Sequence, residues 1–142
     1  MINIALDVMA GDEGVEANVN GALAALDGTF VVSLVGDENV IKSYIRQKKS
    51  KFPENIKIVH TESSISMDAK ISDFRSDRSS SIYEGLKQVK DSYADAFISI
   101  GNSGAIFANA LKVLGRMPGI SRPGFAIPIP SIHGTRILID GG

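Results

Sequence analysis

The feature that most constrains the fold of this chain is its alternation between short, continuous apolar runs and longer amphipathic stretches. Ile2–Asp7 and Phe30–Val35 are apolar runs of strand length, and the segment between them carries apolar residues near helical spacing. Strands separated by helices of about ten residues form βαβ units and a parallel sheet. Continuous apolar strands are typical of a sheet covered on both faces. The pattern predicts an α/β fold, a mainly parallel sheet with helices on both faces.

The remaining pattern continues this order. Asp37 is placed to cap a second helix, and Ser79 or Ser80 to cap a later one. The segment 61–78 shows no clean period, so it is either a functional loop or holds structure that the pattern does not reveal. We expect one α/β domain over residues 1–142 whose sheet looks incomplete at the C-terminus, because no helix follows the last strand candidate. The further strand candidates are Ile56–Val59, Ala94–Ile100, Phe125–Ile129 and Arg136–Asp140.

Composition narrows the classes of function. The chain has 142 residues, 44% of them apolar, and 15 basic against 16 acidic residues give a net charge of −1. This near-neutral balance argues against a nucleic-acid binder. The absence of cysteine excludes disulfides and thiolate metal sites, and two isolated histidines show no ligand spacing, so we expect no metal site. Since no apolar run approaches ~18 residues, we expect a cytoplasmic protein, with peripheral attachment to a membrane left open.

The strongest local signal for a binding site is the sequence Gly-Asn-Ser-Gly-Ala at 101–105, between an apolar strand and a helix. Ligands of open α/β sheets bind beyond the carboxyl ends of the strands. A helix start offers free N–H groups and partial positive charge to a phosphate or carboxylate. Gly101 and Gly104 would let the backbone approach an anion, and Asn102 and Ser103 would add hydrogen bonds. The alternative is a tight turn with Ser103 as the helix cap.

Two other groups of residues are candidates at the same edge of the sheet. Asp12 follows the first strand and could orient a substrate, although a turn or capping role is at least as natural. Arg75 and Arg78 precede Ser80 and Ser81 at a helix start, which is a second plausible anion site. The ordinary alternative for this second group is a solvated loop followed by an N-cap.

These residues together resemble the bacterial phosphate acyltransferase (PlsX) family. The family motif I-x-x-D-x-M-G-G-D is similar to the stretch from Ile4 to Asp12, and A-D-A-x-x-S-x-G-N-T/S-G-A is matched from Ala94 to Ala105. Departures are Ala10 in place of a glycine and Ile82 in place of a common methionine. Further similarities, in chain order, are Leu34–Asp37, Glu62–Asp68, Arg75–Ser81 and Gly119–Pro123.

The resemblance implies an enzyme of phospholipid synthesis that transfers a fatty acyl group from acyl carrier protein to inorganic phosphate. It implies a homodimer with a fold like that of isopropylmalate dehydrogenases and phosphotransacetylases, without metal or nucleotide, and able to contact the membrane surface. Family chains are more than twice this long, so the resemblance covers only their N-terminal part. No residue is assigned as the catalyst, and the phosphate is expected near Arg75–Ser81 and residues 101–104.

Two alternatives remain beside this function. The chain could be a non-catalytic fragment of the fold that binds anions or pairs with a partner chain through an open sheet edge. It could also be a phosphotransacetylase-like enzyme that uses acyl-CoA. A nicotinamide dehydrogenase is disfavoured, because no G-x-G-x-x-G fingerprint is present.

Overall fold

The computed structural model describes residues 1–49, 51–74 and 76–139, and its centre is a four-stranded parallel sheet in the order β3-β2-β1-β4. The four strands are β1 (Ile2–Asp7), β2 (Phe30–Gly36), β3 (Ile56–His60) and β4 (Ala96–Ile98). The helices are α1 (Gly14–Ala25), α2 (Glu38–Lys48), α3 (Ile71–Phe74), α4 (Ser81–Lys90) and α5 (Ser103–Val113). None of the helices in these described ranges has the length and apolar character needed to cross a bilayer.

Helices cover both faces of the sheet, as predicted. Val32 and Leu34 of β2 lie in one apolar cluster with Val19 of α1 and with residues of α2. The neighbouring Val35 points to the opposite face, where it joins a cluster that includes Val89 of α4. Because both kinds of position on β2 are buried, the strand reads as a continuous apolar run rather than an alternating one.

The segment 61–78, whose pattern gave no period, packs against α4 and α5. Ile65 and Phe74 from this segment are buried against Ile82 and Leu86 of α4 and against Ala105 of α5. Its helical content is the four-residue α3. The segment therefore holds structure that depends on contacts with distant parts of the chain, which local periodicity cannot report.

Side-chain caps define the starts of three helices. Asp37 caps α2, accepting hydrogen bonds from the N–H groups of Asn39 at 2.8 Å and Val40 at 3.2 Å. Ser80 caps α4 through the Tyr83 N–H at 3.3 Å. Both caps confirm the sequence pattern.

The cap of α5 is Asn102, so the alternative in which Ser103 serves as the cap is wrong. Asn102 Oδ1 accepts the N–H of Ala105 at 3.0 Å. The reason lies in the backbone, because Asn102 still has the non-helical conformation of a cap residue (φ −56°, ψ 113°), whereas Ser103 is already the first helical residue.

Strand β4 is shorter than the predicted Ala94–Ile100. At its start the Asp95 carboxylate accepts the Asn3 N–H at 2.7 Å, a donor that ladder pairing would otherwise use. Beyond its end, the Ser99 side chain rather than a backbone ladder bond contacts β1, with the hydroxyl donating to Asp7 at 2.9 Å. Three residues of β4 pair with β1, from Ala96 to Ile98.

The last two strands, β5 (Ala126–Ser131) and β6 (Gly134–Ile139), form an antiparallel hairpin apart from the parallel sheet. Both faces of the hairpin are exposed. Pairing continues through Pro128 and Pro130, which lack an N–H, so these prolines take the positions whose N atoms point away from β6. Of the predicted strand Arg136–Asp140, Asp140 lies outside the described residues.

We predict that α4 packs closely on the sheet only because Gly85 has no side chain. A Cβ at this position would lie within 2.5 Å of Phe97 Cδ2, so Gly85→Ala should lower the free energy of unfolding by roughly 1–3 kcal/mol through overpacking. The matched control is Gly21→Ala on α1. A Cβ at Gly21 meets nothing within 4 Å, so this substitution should stabilise the helix by about 0.5–1 kcal/mol. Urea unfolding measures both, and an unchanged midpoint for Gly85→Ala would contradict this packing.

Candidate functional site

A buried carboxylate, Asp7, lies at the carboxyl end of β1 and joins three loops. Its side chain is fully buried. One oxygen accepts the hydroxyl hydrogen of Ser99 at 2.9 Å, and the other accepts the N–H of Met9 at 3.1 Å. Burial raises the pKa of Asp7 above its usual range, and the donors around it, Ser81 and Ser99 among them, only partly oppose that rise.

The start of α4 meets this carboxylate through Ser81. The Ser81 hydroxyl is close enough to Asp7 to lower its pKa. Ser81 Oγ is nevertheless a buried side-chain oxygen with no hydrogen-bond partner of ordinary geometry among the described residues.

A relay of hydrogen bonds links Asp7 to the turn before α5. The Gly101 N–H donates to Ser99 Oγ at 3.1 Å, and the Ser99 hydroxyl donates in turn to Asp7. The Gly101 amide therefore points into the protein. A Cβ on Gly101 would lie 3.1 Å from the Ala10 Cβ and 3.2 Å from Ser99 Oγ, so the glycine permits close packing of two loops.

Asn102 has two functions, because it caps α5 and fastens the segment 61–78 over the start of that helix. Its amide nitrogen donates to the carbonyl oxygens of Met67 at 2.7 Å and Ala69 at 3.3 Å. The same side chain accepts the Ala105 N–H. One residue therefore sets both the first turn of α5 and the loop beside it.

The first turn of α5 presents the free donors of the site. Ser103 and Gly104 are exposed, and their N–H groups have no hydrogen-bond partner among the described residues. A Cβ on Gly104 would meet only Asn102 Oδ1 within 4 Å, at 3.3 Å. Two free amides at the positive end of a helix are suited to an anion such as phosphate.

The loop before α4 is held by its own polar contacts. Asp77 accepts the Ser79 N–H at 2.8 Å and the Ser63 hydroxyl at 3.1 Å. Partial burial would raise the pKa of Asp77, but these hydrogen bonds outweigh it and the net shift is downward. The Thr61 hydroxyl donates to the Ser79 carbonyl, and the Ser81 N–H donates to Ser63 O at 2.9 Å. These contacts fix where α4 begins.

The sequence candidates are only partly brought together. Ser80, Ser81 and residues 101–104 lie at the carboxyl edge of the sheet, where Ile82 approaches Gly101. Asp12 and Arg78 are exposed, and neither makes a hydrogen bond or ion pair within the described part of the chain. Arg75 lies outside the described residues.

A neighbouring polar cleft of about 520 Å³ opens between the end of β3 and the start of α4. It is lined by His60, Thr61, Glu62, Ser63, Ser79 and Glu84. Two glutamates in its walls would repel an anion, so the cleft is a poor place for phosphate. Within the described residues no group of three histidine, aspartate or glutamate side chains is arranged to hold a metal ion.

Sequence reasoning missed Asp7 and Ser99 as site residues. Asp7 ends a buried strand, Ser99 lies one residue before the end of the strand candidate Ala94–Ile100, and both stand inside the motifs that carry the family resemblance. The available signal was a carboxylate at the end of a buried strand, opposite serines at two predicted helix starts. An ionisable group that closes a strand of this kind is rarely buried without a partner.

Comparison with known proteins places the chain in a family. The sequence matches the family described as "Fatty acid synthesis protein" over residues 2–142. The chain belongs to this family, the bacterial phosphate acyltransferases.

Curated members of the family include proteins named phosphate acyltransferase from several bacteria. The protein of Fervidobacterium nodosum is 36% identical over all of this chain and 43% of its own length. That of Salinibacter ruber is 36% identical over 98% of this chain and 42% of its own length, and that of Thermodesulfovibrio yellowstonii is 37% identical over 100% and 41%. The chain thus spans about two fifths of the length of these phosphate acyltransferases.

The raised pKa of Asp7 predicts a pH-dependent contribution to stability. A carboxyl whose pKa is higher in the folded state binds its proton more tightly there, so its contribution is greatest below the unfolded value and is lost as pH rises through the folded value. Asp7→Asn cannot titrate. We expect the stability of the wild type, measured relative to Asp7→Asn by urea unfolding, to fall as pH rises from 4 toward 8. A pH-independent difference would show that Asp7 titrates normally.

The two roles of Asn102 can be separated by Asn102→Asp. The aspartate can still accept the Ala105 N–H, but it cannot donate to Met67 O and Ala69 O. We expect helix α5 to persist in circular dichroism, while amide hydrogen exchange around residues 66–70 accelerates about tenfold or more. Asn102→Ala should in addition lose the cap, at a cost of about 1 kcal/mol. Unchanged exchange in Asn102→Asp would mean that the segment is held by its apolar contacts alone.

Proposed function

We propose that this chain carries the phosphate-binding part of an enzyme that transfers a fatty acyl group from acyl carrier protein to inorganic phosphate. The observation that supports it most is the first turn of α5, where the exposed amides of Ser103 and Gly104 have no partner among the described residues. Membership of the phosphate acyltransferase family supplies the acyl transfer.

The proposed reaction begins with phosphate held at this turn. A phosphate oxygen attacks the thioester carbonyl carbon and forms the new C–O bond, while the carbonyl oxygen becomes an oxyanion. The C–S bond then breaks, and the carrier leaves as a thiol that takes up the proton lost by hydrogen phosphate. Helix N–H groups suit both duties, since they hold phosphate and favour developing negative charge nearby. The Ser103 hydroxyl lies beside the same turn and would add a side-chain hydrogen bond, whereas the Asn102 side chain is already engaged by Ala105, Met67 and Ala69 and holds the turn in place.

In this proposal Asp7 is a positioning residue. It is fully buried and therefore does not touch phosphate. Through Ser99 it turns the Gly101 amide inward, and through Ser81 it borders the start of α4. The carboxylate thereby sets the distance between two helix starts that must surround one small anion. Ser80 and Ser81 are buried like Asp7 and would fix the start of α4, while the exposed Arg78 would face the anion from that side, with Arg75 and Asp12 contributing charge and orientation.

The wider assignment follows the family resemblance. We propose a homodimeric enzyme of phospholipid synthesis in the cytoplasm, in contact with acyl carrier protein and with the membrane surface, and without a cofactor or metal. The alternative, an enzyme that uses acyl-CoA, differs from this proposal in its acyl donor.

The test combines turnover with phosphate binding on one folded sample. Acyl phosphate should form from long-chain acyl carrier protein and phosphate, and Gly104→Val should weaken phosphate binding at least tenfold in calorimetry because two methyl groups obstruct the amides. Gly21→Val on α1 is the control, and it should bind phosphate as the wild type does.

Each other outcome identifies an alternative. Product from acyl-CoA but not from the carrier protein would favour the phosphotransacetylase-like enzyme. Phosphate binding without product would support the phosphate site and identify this chain as an anion-binding fragment that does not turn over by itself. Unchanged phosphate affinity in folded Gly104→Val would overturn the placement of the site.

A further inference from the structure

An apolar groove runs along α5 away from the proposed phosphate site. Its floor is the helix face that bears Ile106, Phe107, Ala110, Leu111 and Leu114, and its far wall is the segment 123–125. The groove has a volume of about 270 Å³. Phe125 leans over it toward Phe107, with ring centroids 5.3 Å apart.

The groove and the phosphate site lie on one face of one helix. Side chains three and four residues apart share a helix face, so Ser103 stands one turn before Ile106 and Phe107, and the stripe continues through Leu111 to Leu114. The stripe from Ile106 to Leu114 is about 12 Å long at 1.5 Å per residue. A ligand whose head group contacts the first turn of α5 would therefore meet the groove directly.

The walls of the groove have the character that a hydrocarbon chain requires. Ile106, Phe107, Ala110 and Leu111 are each half-buried, so they present surface to the groove while the rest of each residue packs against the protein. Polar groups line an adjoining cleft, which shares Phe107 and Leu111 with the groove and adds Arg116 and Arg122. Arg116 is partly committed there, since its guanidinium donates to Ser121 O at 2.8 Å.

We propose that this groove binds the acyl chain of the substrate, with the reacting carbonyl at the first turn of α5 and the tail directed toward Leu114. The inference rests on the proposed function, because it places the acyl group relative to the proposed phosphate site. It adds a specificity determinant, since the groove residues of α5 end at Leu114 and Gly115, which limits how much of a tail this groove can bury.

The experiment compares three probes by calorimetry on the 142-residue chain, namely inorganic phosphate, butyl phosphate and decyl phosphate below its micellar concentration. A fully buried methylene strengthens binding about fourfold, so we expect decyl phosphate to bind the wild type at least tenfold more tightly than butyl phosphate. Leu111→Gln places an amide in the groove and should remove most of that ratio without weakening inorganic phosphate. Phe125→Ser removes the overhanging ring from outside the helix and should act in the same direction.

Val40→Gln on α2 is the matched control, because Val40 is a partly exposed apolar residue remote from α5. It should keep the full ratio of decyl to butyl affinity. Circular dichroism confirms that each variant is folded, and the two groove variants lie on different elements, so the loss of one by misfolding leaves the other.

The outcomes separate this inference from the proposed function. If inorganic phosphate binds but decyl and butyl phosphate bind equally, the groove assignment is overturned and the phosphate site stands. If the decyl advantage survives in both folded groove variants, the tail binds elsewhere, for example on the exposed apolar hairpin, and the assignment is again overturned. If none of the three probes binds, both proposals fail. A decyl advantage lost in the groove variants and kept in Val40→Gln supports the acyl groove.

Discussion

The hydrogen-bonded carboxylate of Asp7 is the interaction on which the architecture of the candidate site depends. It is buried at the end of β1, where the edge of the sheet meets the starts of α4 and α5. Leaving such a group without partners would cost several kcal/mol. The surrounding donors, Ser99 and the Met9 amide above all, therefore draw the two neighbouring loops to fixed places. The same burial raises the pKa of the carboxyl, so the group that organises the site also resists ionisation.

In the candidate site, the residues that hold the loops in place differ from the residues that offer free hydrogen-bond donors. Gly101 and Asn102 are engaged inside the protein, the first through Ser99 and the second through Ala105 and the segment 61–78. The next two residues, Ser103 and Gly104, keep their amides free within the described part of the chain. An anion arriving at α5 would then meet donors that are already oriented, which limits the ordering that binding requires.

The sequence predicted the fold where local chemistry decides it. Apolar runs predicted β1 to β3 within a residue or two, and the caps Asp37 and Ser80 were visible because short polar side chains stabilise helix starts. Contacts between distant residues escaped prediction. Strand β4 is shorter than its apolar run predicted, and Asp95 and Ser99 at its two ends bond through their side chains to residues about 92 positions away.

The candidate site was predictable in place but not in detail. The glycine-containing turn before α5 and the serines before α4 do meet at one edge of the sheet. Periodicity could not show that Asp7 joins them, since its role depends on burial in the folded state. It also could not show that Asn102 both caps α5 and holds Met67 and Ala69.

The central claim is that phosphate binds at the first turn of α5, and an amide NMR titration of the chain with inorganic phosphate tests it most directly. The account predicts that the largest saturable shifts fall on the N–H resonances of Ser103 and Gly104, while the Gly101 amide, held by Ser99, moves little. Saturable shifts centred elsewhere, or none at these two amides, would contradict it.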